Sequence, residues 1–230
     1  MKYKLIVFDL AGTTLNDNEE IIASSFREAI REHGFLMDRK SINWIMGYKK
    51  KEAIVKLLQS NGQDASEEEI DTIHETFLTS LNTHYKKANV SEIEGISDLF
   101  NSLAKQNIKI AINTGFNRST LDILLSKLGW MENGFIHDTI ASDEVTHGRP
   151  KTDMIDALCE RFNITDRSLV AKVGDTPSDL EEGENADCEL VIGVLYGTHS
   201  REELAPYYHD HLVETVAELS SVLQNSGHNV

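Results

Sequence analysis

The stretch Leu5-Ile-Val-Phe-Asp9-Leu-Ala-Gly-Thr-Thr14 decides how this chain is read. Four apolar residues with strand preference run straight into a carboxylate at Asp9, and a Gly-Thr-Thr loop follows. In a parallel α/β sheet ligands bind beyond the carboxyl ends of the strands, so an acid at this point faces a crevice and not the core. A plain strand-ending turn has the same composition, and this segment alone does not separate the two readings.

Outward from Thr14 the pattern turns helical. Asn16 and Asp17 are candidate caps for a helix whose apolar stripe is Ile22, Phe26, Ala29 and Ile30. Arg39 to Met46 reads as a short helix stopped by Gly47, and Lys50 to Gln59 as another stopped by Asn61 and Gly62. Ser66 and Glu69 form a capping box opening a long helix towards Tyr85. From about Ser91 helices and strands alternate. Helices are predicted around Ile96 to Lys105, Ser119 to Leu128, Asp153 to Phe162 and Ser178 to Asn185. Strands are predicted over Lys109 to Asn113, Ile136 to Ala141, Leu169 to Val173 and Leu190 to Val194, while Gln224 to Val230 reads as a frayed tail. Alternation of this kind predicts an α/β fold, a doubly wound parallel sheet. The first strand finds parallel neighbours only after the helical block. Residues 1–15 and 91–230 are therefore expected to form one domain, with 16–90 inserted as a helical one.

Composition narrows the function. The 230 residues carry a formal charge of −16, which gives nucleic acid or an anionic membrane nothing to bind, so an anionic ligand needs a local cation. Cys159 and Cys188 have no metal-type spacing and make no disulfide framework. No apolar run approaches the length of a membrane span or a secretion signal, and the cytoplasm is the expected location. His209-Asp210-His211 alternates along a candidate late strand and reads as surface.

Three further loops match Asp9. Thr114-Gly115 ends a strand with a hydroxyl and a backbone amide suited to a phosphate oxygen. Gly148-Arg149-Pro150 offers a planar cation. Gly174-Asp175-Thr-Pro-Ser-Asp179 carries two acids after an apolar strand, the second of which could equally be a first-turn acid favoured by the helix dipole. Acids on two strand ends with a hydroxyl and a guanidinium describe a Mg2+ site beside a phosphoryl group, where one acid binds metal while another attacks.

The ordered set Asp9-x-Ala-Gly-Thr-Thr, Thr114, Arg149 and Gly174-Asp175-x-x-x-Asp179 resembles the four motifs of the haloacid dehalogenase superfamily, and the helical insertion resembles its cap. The resemblance implies a Rossmann-like core, with Asp9 as a nucleophile that becomes an aspartyl-phosphate. It implies Mg2+ held by Asp9, the Ala11 carbonyl and Asp175, with Asp179 in support. It also implies phosphoryl contacts from Gly12, Thr13, Thr114, Gly115 and Arg149, and a homodimer formed through the cap helices. Phosphatases of the superfamily carry a second Asp two residues after the nucleophile as general acid, and this chain has Ala11 there. An ester phosphatase without its acid forfeits about 100-fold to 10,000-fold in rate. Ala at this position resembles the phosphonoacetaldehyde hydrolase branch, which cleaves a carbon–phosphorus bond with the help of an imine on a cap lysine.

Met46-Gly47-Tyr-Lys-Lys50 has that branch's Met-Gly-x-x-Lys spacing, with Met46 and Gly47 at the substrate. Helical geometry selects the same lysine, since Lys50 shares a face with Ile54, Leu57 and Leu58 whereas Lys49 and Lys51 project elsewhere. Read without the resemblance, the three consecutive lysines are a solvated cationic helix start. The branch also has a His three residues after its lysine, where this chain has Ala53. The leading expectation is a Mg2+-dependent phosphonatase acting on a small carbonyl phosphonate. A phosphatase of small phosphate monoesters is the alternative, and a non-catalytic binding protein on the same fold is the third reading.

Overall fold

The computed structural model describes residues 2–17 and 20–225. In chain order the elements are β1 (Leu5–Phe8), α1 (Ile21–Glu32), α2 (Arg39–Trp44), α3 (Lys50–Ser60), α4 (Glu67–Lys87), α5 (Ile96–Ala104), β2 (Lys109–Thr114), α6 (Arg118–Leu128) and β3 (Asp138–Ala141). There follow α7 (Asp153–Arg161), β4 (Val170–Gly174), α8 (Pro177–Asn185), β5 (Leu190–Val194), α9 (Arg201–Leu204), β6 (His211–Val213) and α10 (Val216–Asn225). The strands form one sheet in the order β3-β2-β1-β4-β5-β6, with every neighbouring pair parallel. That is the doubly wound α/β architecture, and the chain reverses its direction of travel across the sheet between β1 and β4.

Strand β1 shows why the sheet must be covered on both faces. Ile6 and Phe8 pack with Phe100 and Trp130, whereas Leu5 and Val7 pack on the opposite side with Met154, Ile155 and Leu158 of α7. All four β1 residues are fully buried. Each contributes about 1.5–3 kcal/mol by leaving water, which offsets the cost of desolvating the acid at the strand end. Helices α1 to α4 lie between β1 and β2 in the chain, and α1 packs on α4 through stacked Phe26 and Phe77, whose ring centroids are 4.2 Å apart.

Several predicted boundaries move for local reasons. Helix α1 starts at Ile21 after Glu20 in a left-handed conformation; Asp17 accepts a hydrogen bond from the Ile21 amide at 3.3 Å, and Asn16 plays no cap role there. The Ser66–Glu69 capping box forms as expected, and Gly129 ends α6 in the left-handed region. Strand β3 begins only at Asp138, because the His137 ring accepts the Ile110 amide just before the ladder starts. Gln224 and Asn225 close α10 and do not fray from it, while the rest of the predicted tail, 226–230, lies outside the described residues. No described helix is long and apolar enough to cross a membrane.

Candidate active site

Asp9 and Asp175 follow β1 and β4, the two strands that flank the point where the strand order reverses. Phe8 is in register with Val173, and the Asp9 amide donates to the Val173 carbonyl at 2.9 Å. One oxygen from each of Asp9, Asp175 and Asp179 falls within 4.8 Å of the others, and all three residues are buried. Asp175 accepts from the Thr13 hydroxyl at 2.9 Å and the Thr198 amide at 2.7 Å. Asp179 closes a capping box with Thr176 at the start of α8.

Arg149 lies beneath these acids, completely buried. Its Nη1 donates to Asp9 Oδ1 at 2.6 Å, its Nη2 to the Asn113 carbonyl and side-chain oxygens at 2.7 and 2.6 Å, and its Nε to Glu182 at 3.0 Å. Lys172, also fully buried, contacts Asp179 at 2.9 Å and Glu182 at 3.1 Å. Four buried carboxylates thus share two buried cations. The deficit appears in their proton affinities. Burial pushes the Asp9 carboxyl well above its usual range, helped by Asp179 and Asp175 and opposed by Arg149. Burial also raises Asp175, with Asp179 adding to it. In Asp179 burial works the same way, but Arg149 and Lys172 prevail and hold it low. Arg149 and Lys172 stand 2.9 Å from Asp179 Oδ1 at angles poor for a hydrogen bond, so this buried oxygen lacks a proper donor. Hard oxygen donors, surplus negative charge and an unsatisfied carboxylate oxygen fit a small divalent cation.

Above the acids is a cavity of about 20 Å³, room for a single water, lined by Asp9, Ala11, Met46, Gly47, Lys50, Thr114 and Gly115, with Ile22, Phe116, Thr176 and Thr198 closing it. Seven predicted site residues therefore meet there. Gly12 lies instead on an adjoining cavity of about 280 Å³, which shares Met46 and Thr198 with the first. The Thr13 hydroxyl is turned to Asp175, and Arg149 sits below the cavity with its donors on Asp9, Asn113 and Glu182.

Lys50 arrives from the helical insertion. It is 5% exposed, on the buried face that α3 makes with Ala53, Ile54, Leu57 and Leu58. Its Nζ stands 5.1 Å from the Phe116 ring centroid and 5.8 Å from that of Phe26. Burial pushes its pKa down to about 8, against the upward pull of Asp9. The flanking lysines do turn elsewhere. Lys49 Nζ donates to the Val145 and Thr146 carbonyls at 3.0 and 3.3 Å, and Lys51 pairs with Asp71 at 2.5 Å. Contact between the insertion and the sheet is so close that glycines are required on both sides of it. Gly47 has φ +84°, and a Cβ there would sit 2.2 Å from Ser178 Oγ; a Cβ on Gly115 would sit 2.5 Å from the Tyr48 carbonyl oxygen.

The model of the haloacid dehalogenase-like hydrolases matches residues 6–193. The chain belongs to that family. Similar haloacid dehalogenase-like hydrolases include the phosphonoacetaldehyde hydrolase of Latilactobacillus sakei, 30% identical over 204 residues that make up 83% of this chain and 74% of that one. The phosphonoacetaldehyde hydrolase of Bacillus cytotoxicus is 27% identical over 212 residues, 86% of this chain and 78% of its own. Among solved structures, a phosphonoacetaldehyde hydrolase-like protein from Oleispira antarctica superposes with a TM-score of 0.86 at 22% identity, covering 98% of this chain and 92% of that one. A predicted phosphoglycolate phosphatase from Haemophilus somnus reaches a TM-score of 0.78 at 18% identity, covering 97% and 99%, so the fold likeness spans both kinds of hydrolase.

In this haloacid dehalogenase-like hydrolase the residues that sequence reasoning missed lie under the acids. Asn113 donates to both Glu182 oxygens at 2.9 and 2.8 Å and accepts from Lys172 at 2.7 Å, tying β2, β4 and α8 together. Lys172 was visible as a cation inside an apolar strand, a place that demands a buried anion. Glu182, one helical turn beyond Asp179, is the residue on α8 that could have been sought to answer it.

Proposed function

We propose that this protein is a Mg2+-dependent phosphonatase-type hydrolase that cleaves the carbon–phosphorus bond of a small carbonyl phosphonate such as phosphonoacetaldehyde. In this reading residues 16–90 are a cap over a core of 1–15 and 91–230, and the cap must withdraw to admit substrate, since the cavity holds only about 20 Å³. The single observation that carries the proposal is Lys50, an amine taken out of water against two aromatic rings on the roof of the cavity that holds Asp9, while position 11 offers no acid.

The neutral Lys50 amine would attack the substrate carbonyl and form an imine with loss of water. Asp9, held by Arg149, would attack phosphorus, and the electron pair of the breaking carbon–phosphorus bond would pass into the imine. Water then releases phosphate from Asp9, and the resulting enamine is protonated and hydrolysed to free Lys50. Thr114 and the Gly115 amide line the cavity where the phosphoryl oxygens would lie. Asp9 and Asp175, with Asp179 behind and the Ala11 carbonyl nearby, would hold Mg2+, which neutralises phosphoryl charge when bound.

Borohydride reduction during incubation with phosphonoacetaldehyde, followed by digestion and mass spectrometry, should place a two-carbon adduct on Lys50. An adduct on another residue, or turnover with no adduct, sinks the imine. One observation favours a second reading: with a pKa near 8, Lys50 is still largely protonated at neutral pH and could bind a phosphate ester as a cation. Monoesterase activity that survives in Lys50→Ala, with inertness towards phosphonates, would decide for the phosphatase. Asp9→Asn should abolish phosphate release under either reading.

A further inference from the structure

Carbonyl chemistry at an amine needs a proton for the oxygen that leaves as water and a base when water returns. The walls beside Lys50 include Phe26, Phe116, Met46 and Ile22, Ala53 one turn along the helix carries nothing that titrates, and His74 of α4, which feels the Lys50 charge and is kept neutral chiefly by burial, does not line the cavity. Four charged groups bear most on Lys50: Asp9, Arg149, Asp17 and Asp179. Three of them are locked in the ion-pair cluster on the floor. Among the described residues Asp17 is held by neutral donors, the Ile21 amide at 3.3 Å and the Tyr85 hydroxyl at 3.5 Å.

Two aromatic side chains, Tyr85 and Phe116, link Asp17 to Lys50. Tyr85, 2% exposed, packs edge-on against Phe116 with centroids 5.9 Å apart, and the Phe116 ring has Lys50 Nζ 5.1 Å from its centroid. Asp17 lines the larger cavity, which meets the Lys50 cavity at Met46 and Thr198. Among the described residues the titratable and charged groups facing it are Tyr85 from α4, Lys50 from α3, Glu20 ahead of α1 and Arg39 across the cavity from α2. Burial raises the Asp17 carboxyl to about 6, so both of its protonation states are populated near neutrality.

We propose that Asp17, steadied by Tyr85, is the acid–base residue of the Lys50 imine step, an assignment that rests on the phosphonatase reading above. Protonated Asp17 gives its proton to the carbinolamine oxygen; the nitrogen lone pair forms the C=N bond as the C–O bond breaks, water departs, and an iminium is left beside the Asp17 carboxylate. Phosphorus transfer leaves a neutral enamine, whose carbon takes the proton released when water hydrolyses the aspartyl-phosphate; water then adds to the resulting iminium carbon and Asp17 takes back one proton. Atoms and charge balance with no other reactant.

The test is the rate of borohydride trapping of phosphonoacetaldehyde on Lys50 as a function of pH, in wild type and in Asp17→Asn. Wild type requires a neutral Lys50 and a protonated Asp17, so its rate should climb to about pH 6, stay level to about pH 8 and then fall. Asp17→Asn should trap about 100-fold more slowly and lose the fall above pH 8. Asp17→Ala, which empties the same place, should recover part of its rate with added formate. Wild-type rate and profile in Asp17→Asn, or slow Asp17 variants that keep the alkaline fall and ignore formate, overturn the assignment while leaving the Lys50 imine standing. No trapping in the wild type overturns the phosphonatase reading and this assignment with it.

Discussion

Replacing Lys50 by Met measures what the buried amine costs the fold. Burial holds its pKa at about 8 against an ordinary 10.5. At pH 7 the amine is charged in both the folded and the unfolded chain, and the gap between the two values is the free energy by which the fold disfavours that charge, about 3 kcal/mol. Met matches the stem of Lys and suits the contacts with Phe26 and Phe116, so Lys50→Met should unfold in urea with about 3 kcal/mol more stability near pH 7. As pH rises from about 8 to 10.5 the folded amine loses its proton while the unfolded one keeps it, and the wild type gains stability. The advantage of Met should therefore shrink to about 1 kcal/mol near pH 9.5 and vanish above 10.5. Paired urea titrations near pH 7 and pH 9.5, both in chelator, provide the assay. A variant no more stable than wild type at pH 7, or an advantage that ignores pH, would refute the reasoning about desolvation.

Other perturbations have equally direct outcomes. Gly115→Ala pushes a methyl against the Tyr48 and Gly47 carbonyls, 2.5 and 2.6 Å away, and should lower kcat/KM by about 100-fold while circular dichroism stays native. Glu182→Gln leaves Arg149 and Lys172 underpaired and turns an amide NH2 against buried donors; chemical denaturation should show a loss of about 3–5 kcal/mol. Mg2+ at about 100 times its Kd should add about 2.7 kcal/mol of stability. Because burial makes Asp9 and Asp175 hold their protons, calorimetry should find Mg2+ affinity weakening as pH falls towards 6, and a pH-independent affinity would count against that pair as ligands.

The strand-end residues were legible because the pattern that makes a buried strand also names its last position: an apolar run followed by an acid put Asp9 and Asp175 beside each other before any coordinates. Lys50 was legible for a similar reason, its face being fixed by Ile54, Leu57 and Leu58, and the structure adds Ala53 to that face. The partners of Arg149 were not, since Asn113 and Glu182 lie on separate elements that only the sheet register brings together. Asp17 was read as a cap; the N-cap position falls to Glu20, though Asp17 still accepts from the Ile21 amide, and nothing local in the sequence announces that Tyr85, 68 positions away, holds its other side. The four-residue α9 and three-residue β6 carry too few turns or alternations to separate them from loop by period alone, whereas α10, with Val216, Leu219 and Leu223 at helical spacing, was legible but not read.

The place of β1 has a consequence for synthesis. It leaves the ribosome before the other strands of its sheet yet ends in the middle of that sheet, with partners that begin at Lys109 and Val170. At about 5–20 residues per second, its four apolar residues wait about 5–20 s for the first partner and still longer for the second. During that interval the nascent chain carries a bare sticky strand followed by helices that can already pair with one another. Slowed elongation, or loss of holdase chaperones, should therefore harm this protein's yield more than its equilibrium stability would imply.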